Sequence, residues 1–315
     1  MKISVAIPTY NSAATIGPTI ESVLAQTEPP SEILVLDDGS SDATLSITGA
    51  YADRVTLYRQ KNQGVANARN VLCSLAQGDL IAFLDHDDLW HPRYLETQRR
   101  IFERHPHAGA LFTAHINFDG YGLYEWPPDA FKLSDRVDVI ESRDFFVWYN
   151  KATGPFGSMS YCCLPKRTLV DIGSDPFRVS GVDDSYLCCQ IVLTGRPVIY
   201  SHVPLVAYRR TPAAQSDNKL KAYGLWVEVF QALEGRFRQS PDSRTQEAFK
   251  IAFAAKRRSY AKILMGCGEN GKARLQVLRA LRCTSNPVSF AKSLGLLAAA
   301  YLPTVLQPAW PSSRR

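Results

Sequence analysis

The stretch Ala82-Phe-Leu-Asp-His-Asp-Asp-Leu-Trp90 decides how the chain is read, because an apolar run stops there abruptly in carboxylates. Residues 79–84, Asp-Leu-Ile-Ala-Phe-Leu, have the length and apolarity of a strand buried on both faces, which leaves Asp85, His86, Asp87 and Asp88 at its C-terminal edge. Open α/β sheets collect ligands along that edge. Three carboxylates within four residues repel one another unless a cation sits among them, and the oxygens of Asp85 and Asp87 suit a hard divalent ion such as Mg2+ or Mn2+. An ordinary acidic turn, capping a helix that starts near Pro92, accounts equally well for these residues taken alone.

The same pattern recurs upstream. Residues 3–8 read as a first buried strand, followed by a Thr9-Tyr10-Asn11-Ser12 turn able to cap a helix over 14–25. Residues 33–36 form a second strand that also ends in acids, Asp37 and Asp38, and residues 55–58 a third. Asn62 to Asn70 enters a helix on which Ala66, Arg69 and Asn70 lie on neighbouring turns. Four strands alternating with helices over about 85 residues imply a doubly wound, mainly parallel sheet whose loops gather on one edge. Neither a Gly-x-Gly-x-x-Gly nor a Gly-x-x-x-x-Gly-Lys follows the first strand, so phosphates on this edge must be held by metal. A nucleotide fits such an edge: a wall at Tyr10, a carboxylate at Asp38 for base or ribose donors, Arg69, and a cation between Asp87 and a diphosphate.

In order and spacing, Ile7-Pro-Thr-Tyr-Asn11, Leu36-Asp-Asp-Gly-Ser-Ser-Asp42, Asn62-Gln-Gly-Val-Ala-Asn-Ala-Arg-Asn70 and Phe83-Leu-Asp-His-Asp-Asp-Leu-Trp90 closely resemble the family 2 glycosyltransferases of the GT-A fold. The resemblance implies an inverting, metal-dependent enzyme that takes a nucleotide-diphosphate sugar, usually a UDP-sugar. It carries nucleoside contacts to Pro8, Thr9, Tyr10 and Asp38, with Arg69 supporting the nucleotide. The Asp-x-Asp motif falls on Asp85-His86-Asp87, with Asp87 as metal ligand and Asp85 as a ribose or metal contact. The family commonly has Ala where His86 stands, which leaves a ligand role for His86 open.

Further along, a helix over 94–104 leads to an apolar segment at 110–114 and a hairpin-like 116–126. Residues 127–157 lack periodicity, as a substrate-shaping lid or a variable loop would. A strand over 157–165 and a short helix over 166–172 precede Val182-Asp183-Asp184, which opens a helix with Leu187 and Ile191 on one side. Acids there are favourable dipole partners. The stretch resembles the family's Glu-Asp motif, which makes Asp184 the catalytic base, with Asp183 in place of the supporting Glu. Strands near 197–200 and 205–209 close the domain, and Arg209 or Arg210 replaces a Tyr-Arg-x-His-like segment as a source of positive charge.

Lys and Arg outnumber Asp and Glu by 17 to 6 from Asp217 onward, whereas residues 1–216 hold 19 against 24. The expected organisation is a catalytic domain over 1–215, with a nucleotide half at 1–90 and an acceptor half at 91–215, and a basic helical extension over 216–315. In the extension, Leu225, Val229 and Ala232, then Ile251, Ala254 and Ala255, Tyr260, Ile263 and Leu264, and Leu275, Leu278 and Leu281 recur at helical spacing. The apolar run in 293–306 is too short to span a bilayer. Beside basic residues it fits an interfacial helix on an anionic membrane, or a face packed on the catalytic domain. No nucleic-acid motif is present. The opening residues lack a signal peptide, and seven cysteines without a Cys-x-x-Cys read as buried small hydrophobes, so a cytoplasmic protein, peripheral at the inner face of the membrane, is expected. The acceptor would be a glycan or lipid-linked glycan of surface polysaccharide or glycolipid synthesis. Two rivals remain: a nucleotidyltransferase, which wants a basic Gly-rich loop after the first strand, and a non-catalytic nucleotide-sugar-binding protein, which needs only part of the Asp87 and Asp184 set.

Overall fold

Every residue of β1 (Ile3–Thr9) is buried, Ser4 and Thr9 included, as suits the mostly apolar run of a central parallel strand. It pairs in parallel with β2 (Glu32–Asp37) on one side and β4 (Leu80–Phe83) on the other, and β3 (Thr56–Arg59) adds to β2. The computed structural model describes residues 1–126, 136–149, 156–210, 218–283 and 286–301. Two compact units are formed, Met1–Ser142 with Thr153–Pro212, and Arg143–Ala152 with Ala213–Arg315.

In the first unit the crossovers run through α1 (Ile16–Leu24), α2 (Thr44–Gly49) and α3 (Val65–Leu75). The parallel half then gives way to a mixed half. β8 (Cys162–Pro165) pairs antiparallel with β4, β6 (Ala110–Phe118) antiparallel with β8, and β9 (Val198–Arg209) parallel with β6. The described strands run β3-β2-β1-β4-β8-β6-β9-β5, where β5 is Leu89–Trp90, and β7 (Val137–Ile140) also pairs with β9. This bears out the doubly wound α/β sheet with C-terminal helices, parallel over its first four strands and mixed beyond them.

Several local expectations need correction. Residues 110–118 form one strand instead of a strand and the arm of a hairpin, and 198–209 form one strand instead of two. The register between them shifts at Thr113/Ala114 and Ala114/His115, an irregularity that bends the pair and lets both strands stay paired past the middle of the sheet. The strand expected over 157–165 begins only at Cys162, after a 3-10 turn at Met159–Tyr161. The helix α7 (Asp183–Leu193) is buried nearly all round, not amphipathic, because it lies inside the unit. Residues 127–135 and 150–155 of the aperiodic stretch lie outside the described residues.

The second unit holds α5 (Phe145–Tyr149), α8 (Lys219–Arg238), α9 (Ser243–Gly266), α10 (Asn270–Cys283) and α11 (Pro287–Tyr301), α4 (Tyr94–Arg104) and α6 (Lys166–Ile172) belonging to the first. Asn218 caps α8 by accepting from Lys221 N, and Asp242 caps α9 by accepting from Arg244 N and Thr245 N. The core is aromatic: Phe237 stacks on Phe249 at 4.0 Å, and Phe146 packs edge-on against both. Five cysteines are buried, but Cys267 is exposed and Cys283 partly so, since both sit at helix ends where the backbone itself reaches solvent. Among the described residues no helix is long and apolar enough to cross a membrane.

Candidate active site

Because β2, β1 and β4 are adjacent and parallel, the three polar loops that follow them meet at one edge. Asp38 N donates to Thr9 O at 2.8 Å, Asn11 N donates to Ser40 Oγ at 2.9 Å, and Thr9 shares a hydrogen bond with Ser12. Tyr10 stands exposed beside them, while Pro8 is buried within β1. The Asp38 carboxylate is already engaged. Its Oδ1 accepts from Gln63 N and Gln60 Nε2, and its Oδ2 from Gly64 N, so it anchors the loop that launches α3. Gly64 has φ +86°, and a Cβ there would meet Ser180 Oγ at 2.9 Å, which explains the glycine.

Arg69, from α3, is buried and donates to both Asp85 and Asp183. One guanidinium thereby joins the loop after β4 to the start of α7, residues 114 apart in sequence from the far partner. Burial opposes its charge, but Asp183 and then Asp85 outweigh that and hold its pKa above normal. Removing one partner of a buried pair strands the others without compensation. Arg69→Met is therefore expected to lower the unfolding free energy by about 3–5 kcal/mol, read from denaturant melts.

The acidic loop has further supports that sequence reasoning missed. Asp85 N donates to Ser160 Oγ at 3.0 Å, Ser158 Oγ donates to Asp85 Oδ2 at 3.2 Å, and Trp90 Nε1 donates to Ser160 O at 2.9 Å. Arg209 is buried and its guanidinium is used up on backbone carbonyls, Nε donating to Asp87 O and the Nη atoms to Gly120 O and Gly122 O, while its backbone N donates to the Asp88 carboxylate at Oδ1. It also lies over the Phe118 ring at 4.4 Å. Arg209 thus shapes the acidic loop, while Arg210 is exposed and its backbone N donates to Phe118 O.

Asp183 is fully engaged, by Arg69 and by Gly181 N. Asp184 is half-buried and accepts from Ser185 N at 2.6 Å. Burial, with Asp183 beside it, pushes its pKa up to about 7, against the pull of Ser185 and Arg69. A helix dipole contributes about 0.3–1 kcal/mol, less than the roughly 1.4 kcal/mol of one pKa unit, so the N-terminal position cannot offset that burial. Burial also raises Asp87, helped by Asp85 against His86 and Arg209, and raises Asp88 well above the usual range, helped by Asp87 and Asp85.

Two tyrosines that the sequence reading passed over border this cluster. Tyr161 stacks on His115 at 4.4 Å and meets Tyr208 edge-on at 6.0 Å. Burial raises both phenols, and Asp88, Asp85 and Asp184 raise them further, so they stay protonated and able to donate. Tyr161 ends a 3-10 turn and Tyr208 lies in β9, and neither position gives a single-sequence signal of this placement.

Five carboxylates, Asp85, Asp87, Asp88, Asp183 and Asp184, thus share the site with two guanidiniums. The donor set fits a hard divalent cation. No side chain is hydrogen-bonded to the Asp87 carboxylate, and His86 Nδ1 is buried without a hydrogen-bond partner among the described residues. No group of three or more side-chain ligands is assembled among the described residues.

The fold is shared with solved structures. S. aureus TarS 1–349 in complex with UDP-GlcNAc matches with a TM-score of 0.70 over 95% of this chain and 90% of that one, at 16% identity. The complex of the same TarS fragment with UDP matches at 0.65 and 19% identity over the same shares. The architecture is therefore the GT-A type of α/β fold. EpsE of Bacillus subtilis (strain 168), itself assigned as a glycosyltransferase, is 39% identical over 127 residues, 39% of this chain and 46% of EpsE. An uncharacterized glycosyltransferase of Rickettsia typhi (strain ATCC VR-144 / Wilmington) is 31% identical over 140 residues, 44% of each. The chain spans less than half the length of these two relatives. The model of glycosyl transferase family 2 matches residues 4–163, just over half of the chain, and the chain belongs to that family.

Proposed function

We propose that this glycosyltransferase moves a sugar from a UDP-sugar to an acceptor hydroxyl with inversion at the anomeric carbon. The observation that carries the reading is the Arg69 bridge, which sets the acidic loop after β4 beside Asp183 and Asp184. The nucleoside lies along Pro8, Thr9, Tyr10 and the Asp38-anchored loop. UDP and UDP-GlcNAc in the TarS complexes, on the same fold, support a uridine donor.

Asp87, with Asp85 and His86 beside it, would hold a divalent cation such as Mn2+ or Mg2+. When bound, that ion supplies positive charge against the departing diphosphate. Asp184 accepts the proton of the acceptor hydroxyl, whose oxygen forms the new bond to the anomeric carbon as the bond to the β-phosphate oxygen breaks in line. Asp183 and Arg69 position that base. The acceptor is a glycan or lipid-linked glycan, a reading supported by the basic, apolar C-terminal helices.

Release of UDP from a panel of UDP-sugars, with and without polyprenyl-linked saccharides, tests the reading. Acceptor-stimulated UDP release is expected with at least one donor. Binding of UDP-sugars without any release would favour a non-catalytic protein of the same fold.

A pH profile offers a further check. Asp184 holds its proton below about 7 and becomes able to accept one above it, so kcat/KM should rise through a midpoint near 7. A profile flat from about pH 5 to 9 would deny Asp184 the role of base.

A further inference from the structure

The helix α11 is apolar all round, a pattern found in buried helices and in membranes. One side is accounted for. Ser289, Ser293, Leu296 and Ala300 are buried, and Arg258 of α9 donates to the hydroxyls of Ser289 and Ser293. The other side carries Val288, Phe290, Leu294 and Tyr301, which are 63, 42, 47 and 63% exposed, and Lys292 is the helix's only charged residue. Leu275 and Leu278 recur at helical spacing in α10, but the buried line is Ala273, Val277 and Ala280. The two leucines are 46 and 42% exposed and alternate with the exposed cations Lys272, Arg279 and Arg282.

We propose that the exposed faces of α10 and α11 bind the surface of an anionic lipid bilayer. Charge selects this occupant over a second copy of the chain. From residue 270 to the end there are seven Lys or Arg and no Asp or Glu. Two copies meeting through this segment would bring like charges together, whereas anionic headgroups neutralise them while the leucines and aromatics enter the acyl boundary. The 15 residues of α11 are about 22 Å long at 1.5 Å per residue, too short to span, so the helix lies in the plane of the interface. The inference is independent of the donor site, since vesicle binding needs no turnover.

Co-sedimentation of the full chain with phosphatidylcholine vesicles, with and without phosphatidylglycerol, tests it. Binding is expected only with phosphatidylglycerol and should weaken as salt is raised. Arg279→Gln with Arg282→Gln should lower the partition coefficient about 30-fold, at roughly a factor of five per cation. Phe290→Ser with Leu294→Ser should abolish binding while leaving the thermal melt intact, since both side chains are exposed. Equal binding to both vesicle types, or binding unchanged in both double variants, would overturn the proposal. So would a concentration-dependent dimer lost in Phe290→Ser with Leu294→Ser, coupled with no vesicle binding, which would give the face to a second copy.

Discussion

Asp184→Asn is expected to bind donor as the native protein does and to lose transfer by roughly 10²–10⁴-fold, the range a positioned general base contributes. The amide is nearly isosteric with the acid and can still accept from Ser185 N, which reaches Asp184 Oδ1 at 2.6 Å, so the start of α7 should keep its shape. What disappears is the ability to take a proton. The same variant should also remove the rise in kcat/KM near pH 7, because that rise belongs to this carboxyl. Neighbouring Asp183 offers a contrast: it is held by Arg69 and Gly181, and its loss should appear in stability as well as in rate. Transfer at native speed by Asp184→Asn, measured as acceptor-stimulated UDP release, would remove Asp184 from the chemistry.

Asp87→Ala is expected to weaken metal binding and, with it, metal-dependent donor binding. Loss of a group that merely orients a metal ligand costs about 10–100-fold in metal affinity, so loss of the ligand itself should cost at least that much. Arg209 grips the loop through the Asp87 carbonyl and the Asp88 carboxylate, contacts that the substitution leaves in place. Removing a carboxylate that burial and Asp85 already disfavour should also relieve repulsion, so the variant should melt no lower than the native chain. The electron paramagnetic resonance signal of free Mn2+, titrated with protein and UDP together, reports the effect. Native protein should quench the signal and Asp87→Ala should not; equal quenching by both would place the ion elsewhere.

What was legible in the sequence was whatever local patterning controls. The buried runs of β1, β2 and β4 and the polar loops after them could be read because parallel strands, covered on both faces, leave only their C-terminal ends for polar chemistry. Pairings between distant segments were not legible. Nothing in Asn-Ala-Arg69-Asn indicates that its guanidinium is shared between Asp85 and Asp183, and Ser158 and Ser160 look like any serines before a strand. Arg209 reads as a source of positive charge for the site in Tyr-Arg-Arg-Thr, yet carbonyls of Gly120 and Gly122 take its donors and bury it. Those glycines suggest a hairpin turn, while β6 runs on to Phe118 because β9 continues beside it. Leucine spacing in α10 marks a helix without saying which face turns inward; small residues allow closer helix packing, and Ala273, Val277 and Ala280 take the inside.

Calorimetric titration of the protein with UDP, first in Mn2+ and then in EDTA, tests the central claim that this edge is a metal-assisted site for a nucleotide-diphosphate sugar. Saturable UDP binding in Mn2+ that disappears in EDTA is the predicted result. Absence of binding in both conditions, to UDP and then to GDP and dTDP, would contradict it.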